Sequence, residues 1–173
     1  MGYGLYDSSV IMARDALKSL STILKKGEAA PNAASLPEAR IHPDMLPLTF
    51  QVYTVTDLAQ KMLARVSGTE PLTLEKDLKT FADMHARIDQ VLELLADADQ
   101  EAINKRVDEI VPLNLGPNKL INVPARVYVN AYGLTNLFFH LVTAYDIMRK
   151  EGVPLGKLDY LGAFMGSHIP EGH

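Results

Sequence analysis

The chain has no cysteine and no tryptophan. Without thiols there are no disulfides, no thiolate nucleophile and no cysteine-ligated metal site. That fits a reducing compartment, and the cytoplasm is the expected location. No excess of positive charge is present either. Seventeen Lys and Arg against twenty-one Asp and Glu leave a net charge of −4, so no basic face has charge to spare for nucleic acid or an anionic membrane. No apolar run approaches the roughly 18 residues a membrane helix needs. The opening MGYGLYDSSV lacks the basic and apolar regions of a signal peptide. Also missing are a glycine-rich phosphate loop, a Gly-x-Ser-x-Gly elbow and a His-Glu-x-x-His zinc motif.

What the chain has is helical periodicity. Its 173 residues suffice for one domain with a real core, and no internal repeat or boundary divides them. Val10, Ala13, Leu17, Leu20 and Leu24 keep 3-4 spacing and predict helix 1 over 7–26, capped by Asp7 and stopped by Gly27. Residues 27–47 form a connector rich in Ala and Pro, with room for a short helical piece at 35–40. It is long enough to cross from one end of a bundle to the other. Leu48, Val52, Val55, Ala59, Met62 and Val66 predict helix 2 over 48–67, ended by Gly68. Leu74, Leu78, Phe81, His85, Ile88, Leu92 and Leu95 predict helix 3 over 73–96, and a short helix follows at 99–106.

Two alternating runs, Ile110–Leu115 and Lys119–Val123, flank Gly116-Pro117-Asn118 and predict a β-hairpin. A lone hairpin is marginal in water, so it should lie against helices. Pro124 then opens helix 4 over 125–151, with Val127, Ala131, Leu134, Phe138, Leu141, Tyr145 and Met148 as its stripe and Gly152 beyond its end. In the tail, Leu158, Tyr160 and Leu161 are expected to dock, and His168 and His173 carry little weight. The fold class is therefore all-α: a four-helix bundle with a small hairpin between helices 3 and 4.

Chemistry is expected on helix 4. Asn136 and His140 stand at i and i+4 and share a face beside the apolar stripe. His140 is either a general base or metal ligand, or a buried histidine bonded to Asn136, Thr143 or another helix. Asp57, with Thr54 near it on helix 2, is the carboxylate best placed to face His140; its alternative is a pair with Lys61 at i+4. His85 reads as a core or interface histidine, or as a further ligand. His42, beside Arg40 and Asp44, would close one mouth of the bundle. Phe139 and Tyr132 are candidate ligand-binding aromatics, although helix-spaced aromatics more often fill cores.

Several stretches look familiar: RIHPDMLPLTFQ at 40–51, ARVSG at 64–68, NLFFHLVTAY at 136–145 and GVPLGKLDYLG at 152–162. Together they resemble a domain-of-unknown-function family within the DinB/YfiT-like superfamily of helical bundles. The resemblance spans nearly the whole chain. It implies a DinB-like bundle and, from the wider superfamily, a metalloenzyme with one histidine on helix 2 and two on helix 4, four apart. Against that pattern Asn136 replaces the first helix-4 histidine, His140 keeps the second, and helix 2 has none. The implied three-histidine site is therefore absent, and no cofactor is expected beyond a weak divalent metal. Three functions follow: a homodimeric bundle binding a small molecule, with metal-independent acid–base chemistry at His140; a metal-dependent hydrolase or transferase with a degenerate site; or a non-enzymatic dimeric interaction or stress protein.

Overall fold

The structure is a computed structural model that describes residues 2–166. His168 and His173 lie outside the described residues. Four long helices carry the core: α1 (Met12–Glu28), α2 (Leu48–Ser67), α3 (Phe81–Ala96) and α6 (Leu134–Lys150). A short helix α4 (Gln100–Asn104), a hairpin of β1 (Ile110–Asn114) and β2 (Leu120–Pro124), and one helical turn α5 (Ala125–Val127) lie between α3 and α6, and α7 (Lys157–Met165) closes the described chain. The bundle with its inserted hairpin is thus the architecture expected.

The spacing of apolar residues explains which face each helix buries. On α1 it is Ala13, Ala16, Leu17, Leu20, Ile23 and Leu24; on α3 it is Phe81, Met84, Ile88, Val91 and Leu95. Val52, Val55, Ala59, Met62 and Val66 of α2 meet Leu137, Leu141, Ala144, Ile147 and Met148 of α6 in the same core. α1 packs between α3 and α6, and so does α2, which places α1 and α2 on a diagonal.

Helix directions follow from contacts at the ends. Gly27, near the end of α1, approaches Met148 near the end of α6 and Phe81 at the start of α3. Gln51 at the start of α2 bonds His140 of α6, and Met62 near the end of α2 packs on Gly133 just before α6, so these two helices run antiparallel. One end of the bundle therefore gathers the ends of α1 and α6 and the starts of α2 and α3. The neighbours α2 and α3 run parallel, so the chain must travel back along the whole of α2 before α3 begins.

That return corrects two expectations. The segment crossing the bundle lengthwise is 68–80, whereas the connector after α1 stays at one end, where Asn32 bonds the Glu151 carbonyl and Lys150 bonds the Arg40 carbonyl. Helix 3 also begins at Phe81 rather than 73. α2 has 20 residues, a length of about 30 Å at helical rise. Extended chain covers that distance in thirteen residues with room to spare (~43 Å at most), while a helix from 73 would shorten the reach. Gln60 pins the crossover: its Oε1 accepts from Leu72 N–H at 3.0 Å and its Nε2 donates to the Leu72 carbonyl at 3.1 Å. α3 then starts at a capping box, in which Thr80 Oγ1 accepts from Asp83 N–H and the Asp83 carboxylate accepts from Thr80 N–H.

Smaller differences have local causes. α1 is preceded by a π-helical stretch, Asp7–Ile11, and helix is already present at residue 5. Asp7 thus lies inside the first turn and accepts from Gly4 N–H at 2.7 Å instead of sitting at the cap. Gly27 is not a stop but a point of close packing, where a Cβ would meet Met148 Sδ at 2.7 Å. Gly68, by contrast, ends α2 in the left-handed conformation at φ 74°, as expected. The short helical piece after α1 is a 3-10 turn, Ala33–Glu38. The tail forms a helix that apolar spacing does not announce: α7 lies on α1, with Ser19 Oγ donating to the Tyr160 carbonyl and Lys26 paired to Asp159. Leu158 does not dock and is 80% exposed.

The start of α3 is testable by urea denaturation. Thr80→Ala removes the cap and should cost about 1 kcal/mol. Thr73→Ala, in the crossover, should change stability little. Equal effects would refute a helix that begins at Phe81.

Candidate functional site

Pro47 opens α2 with extended backbone, and Gln51 follows in the first turn of that helix. Gln51 lies on the apolar stripe, three residues after Leu48 and four before Val55, and is buried at 3% exposure. Buried amides find partners. Gln51 Nε2 donates to the Leu46 carbonyl at 2.9 Å, just before the helix. Its Oε1 lies 2.7 Å from His140 Nδ1.

This chain of bonds fixes the histidine. Because Leu46 offers a carbonyl, the Gln51 amide must turn its NH₂ toward it and its oxygen toward His140. Nδ1 then carries the ring proton and donates it. In the neutral ring Nε2 keeps its lone pair. Nε2 has no hydrogen-bond partner among the described residues, and it is not sealed from solvent. Burial lowers the His140 pKa from its ordinary 6.5 and favours that neutral form. Two aromatic rings flank the imidazole: Phe139 at 5.2 Å and Phe50 at 6.2 Å between centroids, both edge-on. Phe139 is 58% exposed and forms the outer wall.

The other expected residues fall elsewhere. Asp57 does not meet His140. Its carboxylate accepts from Gln60 Nε2 at 3.0 Å and from Lys61 Nζ at 2.6 Å, which is the i+4 pairing held open as its alternative. It supports the amide that clamps the crossover. Asn136 is half-buried, and its side chain makes no hydrogen bond to His140. Thr143 donates to the Phe139 carbonyl and Thr54 to the Phe50 carbonyl, each within its own helix. His42 is exposed and paired with Asp44 at 2.5 Å. His85 lies off the buried face of α3, with Nε2 3.3 Å from Glu28 Oε2 of α1. Tyr132 packs against Tyr128 with ring centres 5.6 Å apart and planes tilted by 55°, nearer the hairpin. The residue that sequence reasoning missed is Gln51; its signal was a polar side chain on an otherwise apolar stripe.

On the far side of Phe50 a cavity of about 320 Å³ opens, lined by Leu46, Pro47, Thr49, Phe50, Tyr53 and Lys76 among others. The Lys76 ammonium lies 5.4 Å from the Tyr53 ring centre, a cation–π contact. His140 is not in the wall of this cavity.

The metal implied by the wider superfamily can be tested against these donors. One imidazole and two carboxamides, Gln51 and Asn136, make a poor transition-metal set, and Gln51 is already engaged on both sides of its amide. Among the described residues no three His, Asp or Glu side chains converge as a metal site. The residues present do not fit such a metal.

Residues 5–161 match the family described as Domain of unknown function (DUF1993). The chain belongs to this family. The fold is similar to a crystal structure of a DinB family member protein from Shewanella denitrificans, with a TM-score of 0.82 and 28% sequence identity over 91% of this chain and 92% of that one. A comparison with curated proteins gave no match. No helix among the described residues is long and apolar enough to cross a membrane.

The lowered His140 pKa has a consequence for stability. A folded value below the unfolded 6.5 means that the unfolded chain takes up the proton first. The stability held in the neutral ring is complete above about pH 6.5 and is lost as pH falls toward the folded value. NMR titration should place the His140 midpoint below 6.5, and His140→Gln should remove that part of the acid sensitivity. A His140 midpoint above 6.5 would overturn this account of the ring.

Proposed function

We propose that this DUF1993 protein binds a small organic molecule beside His140 and that Nε2 of the imidazole takes or returns a proton on it, without a metal. The observation that carries this reading is the Leu46–Gln51–His140 relay. It holds one tautomer and leaves the Nε2 lone pair without a partner among the described residues, on a ring flanked by two aromatics. A general base needs a neutral ring at working pH and an orienting partner behind it, and both are present here. When Nε2 takes a proton from an O–H, N–H or activated C–H, the resulting imidazolium still donates Nδ1–H to Gln51 Oε1. An uncharged amide supports that cation less than a carboxylate would, so His140 is a weak base suited to the more acidic protons. Asn136, one turn earlier on the same face, would orient the ligand by hydrogen bonding, and the exposed Phe139 ring would cover its apolar part.

The test is a ligand screen by NMR at neutral pH, read at the His140 imidazole nitrogens. Bound compounds should perturb Nε2 more than Nδ1. His140→Ala should abolish their binding, and Gln51→Leu should weaken it by freeing the ring to rotate. Ligands whose affinities are unchanged in His140→Ala would sink the proposal.

A second reading rests on a separate observation. Phe139 and Val142 stand one turn apart on the outer face of α6, with 58% and 40% exposure. A second copy of the chain packed on that face would cover them and give a homodimeric interaction protein. Sedimentation should then show dimers at micromolar concentration, shifted toward monomer by Phe139→Asp. Monomer alone in the unaltered protein would refute this reading.

A further inference from the structure

The contact between α2 and α6 has a second polar end. Gln51 meets His140 at one end, and further along, Met62 packs on Gly133, where a Cβ would come within 2.9 Å of its sulfur. Eleven residues of α2 and seven on the α6 side separate the two places, or roughly 10–16 Å. Here the helix leading into α6 widens into a π-helical stretch, Tyr128–Gly133. In that wider turn, residues four apart come nearly into line, and Tyr128 and Tyr132 lie side by side with ring centres 5.6 Å apart.

The hairpin covers these rings and leaves a cavity of about 330 Å³. Its walls are Lys61 and Arg65 from α2, Tyr128 and Tyr132, and the Pro112–Asn114 segment of β1. Lys61 is neutralised by Asp57 at 2.6 Å. Arg65 forms no ion pair among the described residues, so the cavity keeps one net positive charge. Tyr128 is only 4% exposed, yet its hydroxyl has no hydrogen-bond partner among the described residues and is not sealed off. A deeply placed phenol without a protein partner, in the wall of a cavity, is a donor waiting for an acceptor. Burial is the largest cause that pushes its pKa up to about 12, so the hydroxyl stays protonated and able to donate.

We propose that this cavity is a binding site for a small molecule bearing an oxyanion, a carboxylate or a phosphate, held by the Arg65 guanidinium and the hydroxyls of Tyr128 and Tyr132. Arg65 supplies the forked donors that match two oxygens of such a group, and Lys61 adds a further donor from its place beside Asp57. Pro112 and Leu113 offer apolar contact to the rest of the ligand. The site is separate from His140 and stands whether or not that histidine has a ligand.

The experiment is an NMR titration of the full chain at low ionic strength with three probes: inorganic phosphate, acetate and benzoate. At least one should saturate, with shifts centred on 61–65, 112–116 and 128–132. Saturation by phosphate alone or by carboxylates alone supports the site and says which group it takes. Arg65→Gln should weaken binding about tenfold or more, the effect of losing a charge-assisted pair. Tyr128→Phe keeps the packed ring and should weaken binding several-fold, a loss that shape alone would not produce. Lys25→Gln, a charge change on α1 away from the cavity, is the control. Absence of saturable binding by all three probes overturns the proposal. So does equal weakening by Arg65→Gln and Lys25→Gln, which would mark a general charge effect, or unchanged affinity in Tyr128→Phe.

Discussion

Two neighbouring helices that run parallel cannot be joined by a short turn, and much of this structure answers that constraint. The chain leaves α2 at Gly68, returns along the helix it has just completed, and starts α3 at the Thr80–Asp83 box. A return strand outside a sheet has no ladder to satisfy its backbone, so side chains must do it. Gln60 takes both backbone groups of Leu72, and the buried Asp57 holds the Gln60 amide in place. Lys76, further along, lies over Phe50 and Tyr53. The carboxylate that looked best suited to activate a histidine is used up in this clamp.

The same packing sets both ends of the α2–α6 contact. Leu46, Gln51 and His140 form the relay at one end; Lys61, Arg65, Tyr128 and Tyr132 form the cavity at the other. Gly133 lets Met62 approach closely at the cavity end. Neither end has the three-histidine pattern of the wider superfamily. At the His140 end an amide of α2 meets the surviving histidine, and an amide cannot ligate soft or borderline metals as imidazole does. Likeness of fold therefore does not carry the superfamily's metal chemistry to this chain.

Much of the bundle was legible from apolar spacing alone. The stripes on α1 and α2 place the buried residues correctly, because a helix can hide only one face and the sequence must mark it. Of the stripe expected on helix 4, Leu141 and Met148 are buried, Val127, Leu134, Phe138 and Tyr145 half-buried and Ala131 exposed. Leu74 and Leu78 extended the α3 stripe falsely. Leu74 is buried from the non-helical crossover, so burial made it look helical without its backbone being so. The opposite error occurred at α7, whose residues are all at least partly exposed and leave no stripe to read. At the site, His140 was visible as a polar residue beside a stripe, and Gln51 carried the same mark but went unread.

By itself the sequence determined the helical class, the position of the hairpin, the stops at Gly68 and Gly152, and the loss of two histidines from the superfamily pattern. These follow from periodicity, backbone preference and residue identity, which are local. Which helices are neighbours, which way each runs, and which side chain meets His140 were decided only by tertiary packing. A stripe tells a helix which face to bury, but not against whom. The partner of a polar group can depend on register between helices far apart in the chain, and here that register gave His140 to Gln51, while Asp57 bonds Gln60 and Lys61 within its own helix.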